Sequence, residues 1–119
     1  MGTYYKELIV WQRAMCLVKH VYLVTKSFPT SEMYGLVNQM RRASVSIPSN
    51  IAEGQTRKSP LEFAHFLSIA HGSLAELETQ MIISHDLEYV SQAQFDEYMA
   101  LHNEVSKMLT ALKAKFSKN

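Results

Sequence analysis

Apolar residues recur at helical spacing in four segments of the chain, parted by three short breaks. In the first, Trp11, Met15, Val18, Tyr22 and Thr25 step by 4, 3, 4 and 3, the spacing of one helix face. Phe28-Pro29 closes it, because a residue before proline is pushed out of helical geometry. The second starts near Ser31 and carries Met33, Leu36, Val37, Met40, Ser44, Ile47 and Ile51 to about Thr56. Ser59-Pro60-Leu61-Glu62 opens the third. Ser59 is placed to accept from a free amide of the first turn, and Glu62 to reach back to the Ser59 amide. Pro60 occupies the first helical position, where a missing N–H costs nothing. Phe63, Leu67, Ala70, Leu74, Leu77 and Met81 form its seam, running to about Leu87. Ser91 with Gln94 repeats the capping signal, and Tyr98, Leu101, Val105, Met108, Leu112 and Phe116 supply the fourth stripe. Lys113, Lys115 and Lys118 suit the negative pole at its end.

The pattern predicts helices over about 7–27, 31–56, 60–87 and 92–116. Connections of a few residues leave antiparallel neighbours, so the expectation is an all-α, up-down-up-down four-helix bundle forming a single domain over 1–119. Pro48 falls inside the second stripe and predicts a kink rather than a reversal, since Ile47 and Ile51 keep the apolar phase. Gly35 and Gly72 fall mid-helix, each at a cost of about 1 kcal/mol relative to alanine. They mark either a close neighbouring helix or a plain surface position. Leu17, Val21 and Val24 in helix 1, with Phe66 and Ile69 in helix 3, lie off the main stripes. Such an excess, in a chain of 119 residues, predicts self-association.

Composition narrows the class. A hydrophobic fraction of 47% excludes disorder, and a single cysteine, Cys16, excludes a disulfide scaffold. Apolar runs such as Ala14–Val18 are far shorter than the roughly 18 residues of a membrane span. No export signal is visible, so a cytoplasmic location and no membrane partner are expected. The net charge of +1 hides an asymmetry: residues 1–58 hold eight basic side chains against three acidic, and residues 59–119 four against eight. Helices that attract one another when packed are the first explanation, and a nucleic-acid surface the second.

Candidate chemistry is sparse. Glu62-Phe63-Ala64-His65 is one Glu-x-x-His, whereas the di-metal bundle site needs two, with a Glu from each remaining helix. His20, His71, His85 and His102 are scattered singly, and Cys16 sits mid-helix rather than at an activating N-terminus. No catalytic residue, cofactor or metal is predicted, and the chain reads as non-enzymatic. The informative stretch is helix 2. Gln39, Arg42, Ser46, Ser49 or Asn50, and Glu53 share one face made of amides, hydroxyls and a guanidinium, unlike the Glu/Lys pairs of an ordinary solvated helix. Ser73, Glu76 and Glu78 on helix 3 are candidate partners for Arg41 or Arg42 in a polar network between helices or subunits. The same composition suits a phosphate-contacting surface.

Five blocks follow in order at recognisable spacings: Val10-Trp11-Gln12; Phe28-Pro29 with Tyr34-Gly35-Leu36; Gln39-Met40-Arg41-Arg42-Ala43; Ser46-Ile47-Pro48-Ser49-Asn50-Ile51-Ala52-Glu53-Gly54; and Gly72-Ser73-Leu74-Ala75-Glu76-Leu77-Glu78. Over nearly its whole length the chain resembles the bacterial four-helix-bundle family encoded in 23S rRNA intervening sequences. That family is similar to the accessory variability protein of diversity-generating retroelements, a barrel-shaped homopentamer that binds nucleic acid through a basic surface and associates with a reverse transcriptase. The resemblance implies a homo-oligomer, a pentamer, with no catalytic residues and with RNA, DNA or a protein as partner. Arg41 and Arg42 match the family's paired arginines, and Arg57 matches a basic residue after its Glu-Gly. With Lys58 they are the candidate nucleic-acid-binding residues. The alternative is a purely structural or protein-interaction oligomer in which the arginines pair with Glu53, Glu76 or Glu78. A net charge of +1 is low for a dedicated nucleic-acid binder.

Overall fold

Local signals place the helix ends. Ser59 Oγ accepts from the Glu62 amide at 3.3 Å and Pro60 takes the first turn, opening α3 (Pro60–Asp86). The reciprocal half of this cap is not made, because the Glu62 carboxylate turns toward Arg57 instead, with Oε1 3.7 Å from Nη1. Ser91 and Gln94 do form a full capping box at the start of α4 (Gln92–Phe116), at 3.0 and 3.1 Å. At the end of α3 the amides of Glu88 and Tyr89 return to the carbonyls of His85 and Ser84, with Glu88 in the left-handed region at φ 65°.

The computed structural model describes residues 4–117. Lys118 lies outside them, as do the ends of the expected 1–119 domain. α1 (Ile9–Thr25) is shorter than the expected 7–27, because Tyr5–Glu7 forms a 3₁₀ turn and Leu8 is extended. α2 (Asn38–Thr56) also starts later than expected. A 3₁₀ turn at Thr30–Glu32 and a wide π turn at Met33–Val37 precede it, and Gly35, with ψ −107°, takes the chain out of helical geometry. α2 then continues through the buried Pro48 without reversing. Helices adjacent in sequence pack side by side and α4 closes against α1, giving the all-α bundle, 46 Å long and 24 by 21 Å across. Its long axis is thus close to the length of α3, about 40 Å at 1.5 Å per residue.

The core confirms the seam of α3, with Phe63, Leu67, Ala70, Leu74, Leu77 and Met81 all buried. α1 reverses the expectation. Its inward stripe is Val10, Ala14, Leu17, Val21 and Val24, so Leu17, Val21 and Val24 are core and not a surplus layer. Of the stripe expected to face inward, Trp11, Met15 and Val18 are half-buried and Tyr22 is exposed, whereas Thr25 is buried. The two stripes lie one residue, about 100°, apart on the helix and share the same spacing, so periodicity cannot rank them. The surplus apolar strip still exists, but it is the other one.

Glycine positions are also redistributed. A Cβ on Gly54 would stand 2.6 Å from Phe66 Cβ and 3.1 Å from Phe63 Cδ1, so the close approach of α2 to α3 is at Gly54. Gly72 has open space around the same position and is a surface glycine. Gly54→Ala is therefore expected to destabilise the fold by about 1–3 kcal/mol through overpacking. Gly72→Ala is expected to stabilise it by up to about 1 kcal/mol. Urea denaturation of the two variants checks both signs.

Three histidines lie between α1, α3 and α4. Tyr98 Oη and His102 Nδ1 hydrogen bond at 3.3 Å, and His102 Nε2 stands 3.6 Å from Glu78 Oε1. His71 Nε2 meets Ser106 Oγ at 3.2 Å, with Lys113 contributing unfavourable charge. Both nitrogens of His20 are buried without a hydrogen bond among the described residues, Nε2 lying 3.9 Å from Glu97. Burial pushes all three imidazoles below their ordinary value, against the pull of Glu97 on His20 and of Glu78 on His102. The unfolded chain takes up protons as pH falls below about 6.5 while the folded chain resists, so stability falls with pH. That stabilisation is complete above the ordinary value and is lost toward the depressed folded values. The melting temperature is expected to be lower at pH 5.5 than at pH 7.5, and His20→Leu to reduce the difference.

Candidate nucleic-acid interface

Adjacent residues on an α-helix point about 100° apart, and this separates the two arginines of α2. Arg41 turns toward α1. Its Nε donates to Thr25 Oγ1 at 3.0 Å, its Nη2 to the Tyr22 carbonyl at 3.5 Å, and its guanidinium lies over the Tyr22 ring at 4.6 Å. A cation on the last-turn carbonyls satisfies free acceptors and the negative pole of the helix. Arg41 is thus the C-terminal cap of α1. Arg42 points outward, exposed, and makes no hydrogen bond, ion pair or ring contact among the described residues.

Two grooves flank Arg42. One, about 480 Å³, is lined by Tyr34, Asn38, Gln39, Arg42, Ala43, Ser46, Ser73 and Glu76. The other, about 570 Å³, is lined by Tyr22, Asn38, Arg41, Arg42, Val45 and Ser46. Below them α2 is fixed to α3 by polar contacts. Ser46 Oγ and Ser73 Oγ lie 2.8 Å apart, and Asn50 Nδ2 donates to the carbonyl and the hydroxyl of Ser46 at 2.8 and 2.9 Å. Ser46, Asn50 and Ser73 are thus joined by hydrogen bonds in a contact between α2 and α3 that does not include Arg42.

The remaining candidates are placed elsewhere or otherwise engaged. Glu53 pairs with Arg57 along α2, Oε2 to Nη2 at 2.8 Å, and Arg57 also lies over the Phe66 ring at 5.0 Å. Lys58 is exposed in the left-handed region at φ 58°. Arg57 and Lys58 stand roughly 24 Å along α2 from Arg41, so the four basic residues do not make one patch. Glu78 faces His102 on α4, away from Arg42. Glu76 shares a groove with Arg42 and accepts from Gln80 Nε2 at 3.2 Å, and Gln39 lines the same groove. Among the described residues, no three His, Cys, Asp or Glu side chains are grouped to hold a metal ion. His65 of the Glu-x-x-His packs edge-on against Phe66, and Cys16 Sγ accepts from Arg13 at 3.5 Å. Tyr34, Asn38, Tyr22 and Val45 are groove residues that spacing did not single out as site candidates. The one sequence signal for Tyr34 is its place beside Gly35, off the core stripe.

A third groove, about 360 Å³ and mostly apolar, lies between α1 and α2, lined by Tyr5, Trp11, Met15, Val18, Val45, Pro48, Ser49 and Ala52. The outward strip of α1 forms one wall.

The fold and these grooves define a four-helix-bundle protein whose second helix presents an open polar face. It belongs to the 23S rRNA-intervening sequence protein family, whose family model matches residues 6–111. Among solved structures, the chain is similar to a protein of unknown function of the S23 ribosomal protein family from Bacteroides thetaiotaomicron VPI-5482. The two are 23% identical with a TM-score of 0.79, over 88% of this chain and 98% of that one. At that identity the likeness shows the fold. Comparison with curated proteins gives no match. Neither the family's description nor the similar structure's names an enzymatic activity. No helix among the described residues is long and apolar enough to cross a membrane.

The two arginines are expected to behave differently. Arg41→Ala removes the cap of α1 and should cost about 1 kcal/mol of stability, whereas Arg42→Ala should stay within about 0.5 kcal/mol of wild type. Thermal melts of the two variants check this.

Proposed function

We propose that this is a non-enzymatic, homo-oligomeric accessory protein of the cytoplasm that binds nucleic acid, RNA or DNA, through the outer face of α2. The observation that carries the reading is Arg42, an exposed guanidinium without a partner among the described residues, standing between two open grooves. Guanidinium with serine and amide neighbours is a phosphate-contacting composition. The intramolecular roles of Arg41 and Arg57 leave Arg42 as the cation of this face without a partner among the described residues, with Lys58 about 24 Å away beyond the far end of α2. Self-association is supported by the outward strip of Trp11, Met15 and Val18, which lines an open, mostly apolar groove between α1 and α2. A pentamer, as the family resemblance implies, would repeat Arg42 five times and turn a small charge per chain into a substantial field.

The second reading, an oligomer that binds only protein, is favoured by the engagement of Arg41 and Arg57 within the chain. Filter binding to structured RNA and DNA, with light scattering, separates the two. On the nucleic-acid reading, wild-type protein binds at low salt, affinity falls steeply as salt rises, and Arg42→Ala weakens binding about tenfold with native mass unchanged. No binding at low salt, with Arg42→Ala reducing the native mass, would establish the protein-only oligomer.

A further inference from the structure

We infer that the nucleic acid bound here is single-stranded, and that one unpaired step of it straddles the Asn38–Arg42–Ser46 ridge of α2. A phosphate sits on Arg42, and the bases on either side enter the two flanking grooves. The inference rests on the nucleic-acid reading above and specifies the form of the ligand.

Residues 38, 42 and 46 step by four, so they form one line along the helix, and each lines both grooves. Each groove also holds one tyrosine. Tyr34 stands on the π turn before α2 with 95% of its surface exposed, and it makes no ring contact or hydrogen bond among the described residues. The fold gains nothing from that ring. Tyr22, on the other side, already carries the Arg41 guanidinium at 4.6 Å. A duplex hides the faces of its bases by stacking them on each other, and a protein that holds only its phosphates has no use for exposed aromatic rings. An unpaired strand offers base faces, and aromatic rings beside a cation are what bind them.

The polar lining agrees. Asn38 and Gln39 each offer both a donor and an acceptor, and Ser46 and Ser73 offer hydroxyls. Glu76 offers only an acceptor, which would repel a second phosphate but can receive an amino group of a base edge. The groove is therefore suited to a base on the Tyr34 side and to a single phosphate at the ridge.

The test is fluorescence anisotropy at low salt with a short unstructured pyrimidine-rich RNA strand and a duplex RNA of equal length. The single strand is expected to bind about tenfold or more tighter. Tyr34→Ala should lower single-strand affinity about 5- to 100-fold, Tyr34→Phe should retain it, and duplex affinity and native mass should not change. Equal or tighter binding of the duplex overturns the inference, as does a Tyr34→Ala variant with unchanged single-strand affinity. A change in native mass on Tyr34→Ala overturns it too, by making the ring a subunit contact. Binding of neither probe by wild-type protein removes the nucleic-acid reading itself.

Discussion

The seating of α2 on α3 fixes everything the outer face presents. At Gly54 the backbone of α2 comes so near α3 that a Cβ would meet that of Phe66 at 2.6 Å. Eight residues earlier, Ser46 and Ser73 join the same two helices by a 2.8 Å hydrogen bond. Arg41 then ties the start of α2 to the end of α1. Three fixed points set both the position and the rotation of the helix. Once rotation is set, the helical repeat decides which side chains leave the protein, and Arg42 is the basic one that does. A helix free to turn by one residue would exchange the roles of Arg41 and Arg42.

The parts of the fold set by short-range chemistry were readable along the chain. The Ser59 and Ser91 caps and Pro60 placed the starts of α3 and α4, and the α3 seam lies inside as its spacing implied. What could not be read is rotation and proximity. Leu17, Val21 and Val24 are spaced like Trp11, Met15 and Val18, and only the packing of α2 and α4 decides which set is covered. Gly54 and Gly72 are alike as letters, and what separates them is Phe66 on another helix. Arg41 and Arg42 are a single motif in the sequence yet serve a cap and an open face. Tyr34 was visible as a residue but not as a feature, because exposure is not written in periodicity. Tyr34 stands on the irregular turn around Gly35, where the chain leaves helical geometry.

Charge asymmetry between the halves has two sources. One pair, Arg13 with Glu104 at 2.8 Å, joins α1 to α4 and is the attraction between packed helices that opposite halves suggest. It is partly exposed, and such pairs contribute at most about 1 kcal/mol. Arg57 is held by Glu53 and Glu62 at the far end of α2. The remaining excess, with Lys19, Lys26, Arg42 and Lys58 exposed, belongs to the surface, Lys19 and Arg42 on α1 and α2 and Lys26 and Lys58 just past their ends. The outward apolar strip of α1 lies on that same side of the bundle. Association through this strip would bring the basic residues of several copies together, so that assembly and ligand binding are linked through one surface.

On the proposed function, a bound strand contacts the open face around Arg42. Ultraviolet cross-linking of a bound single strand to wild-type protein, followed by mass spectrometry of the linked peptide, reads this directly. The expected link lies within residues 34–46, with Tyr34 the preferred position. A link confined to the Arg57 and Lys58 end of α2, or to α3 and α4, would contradict it.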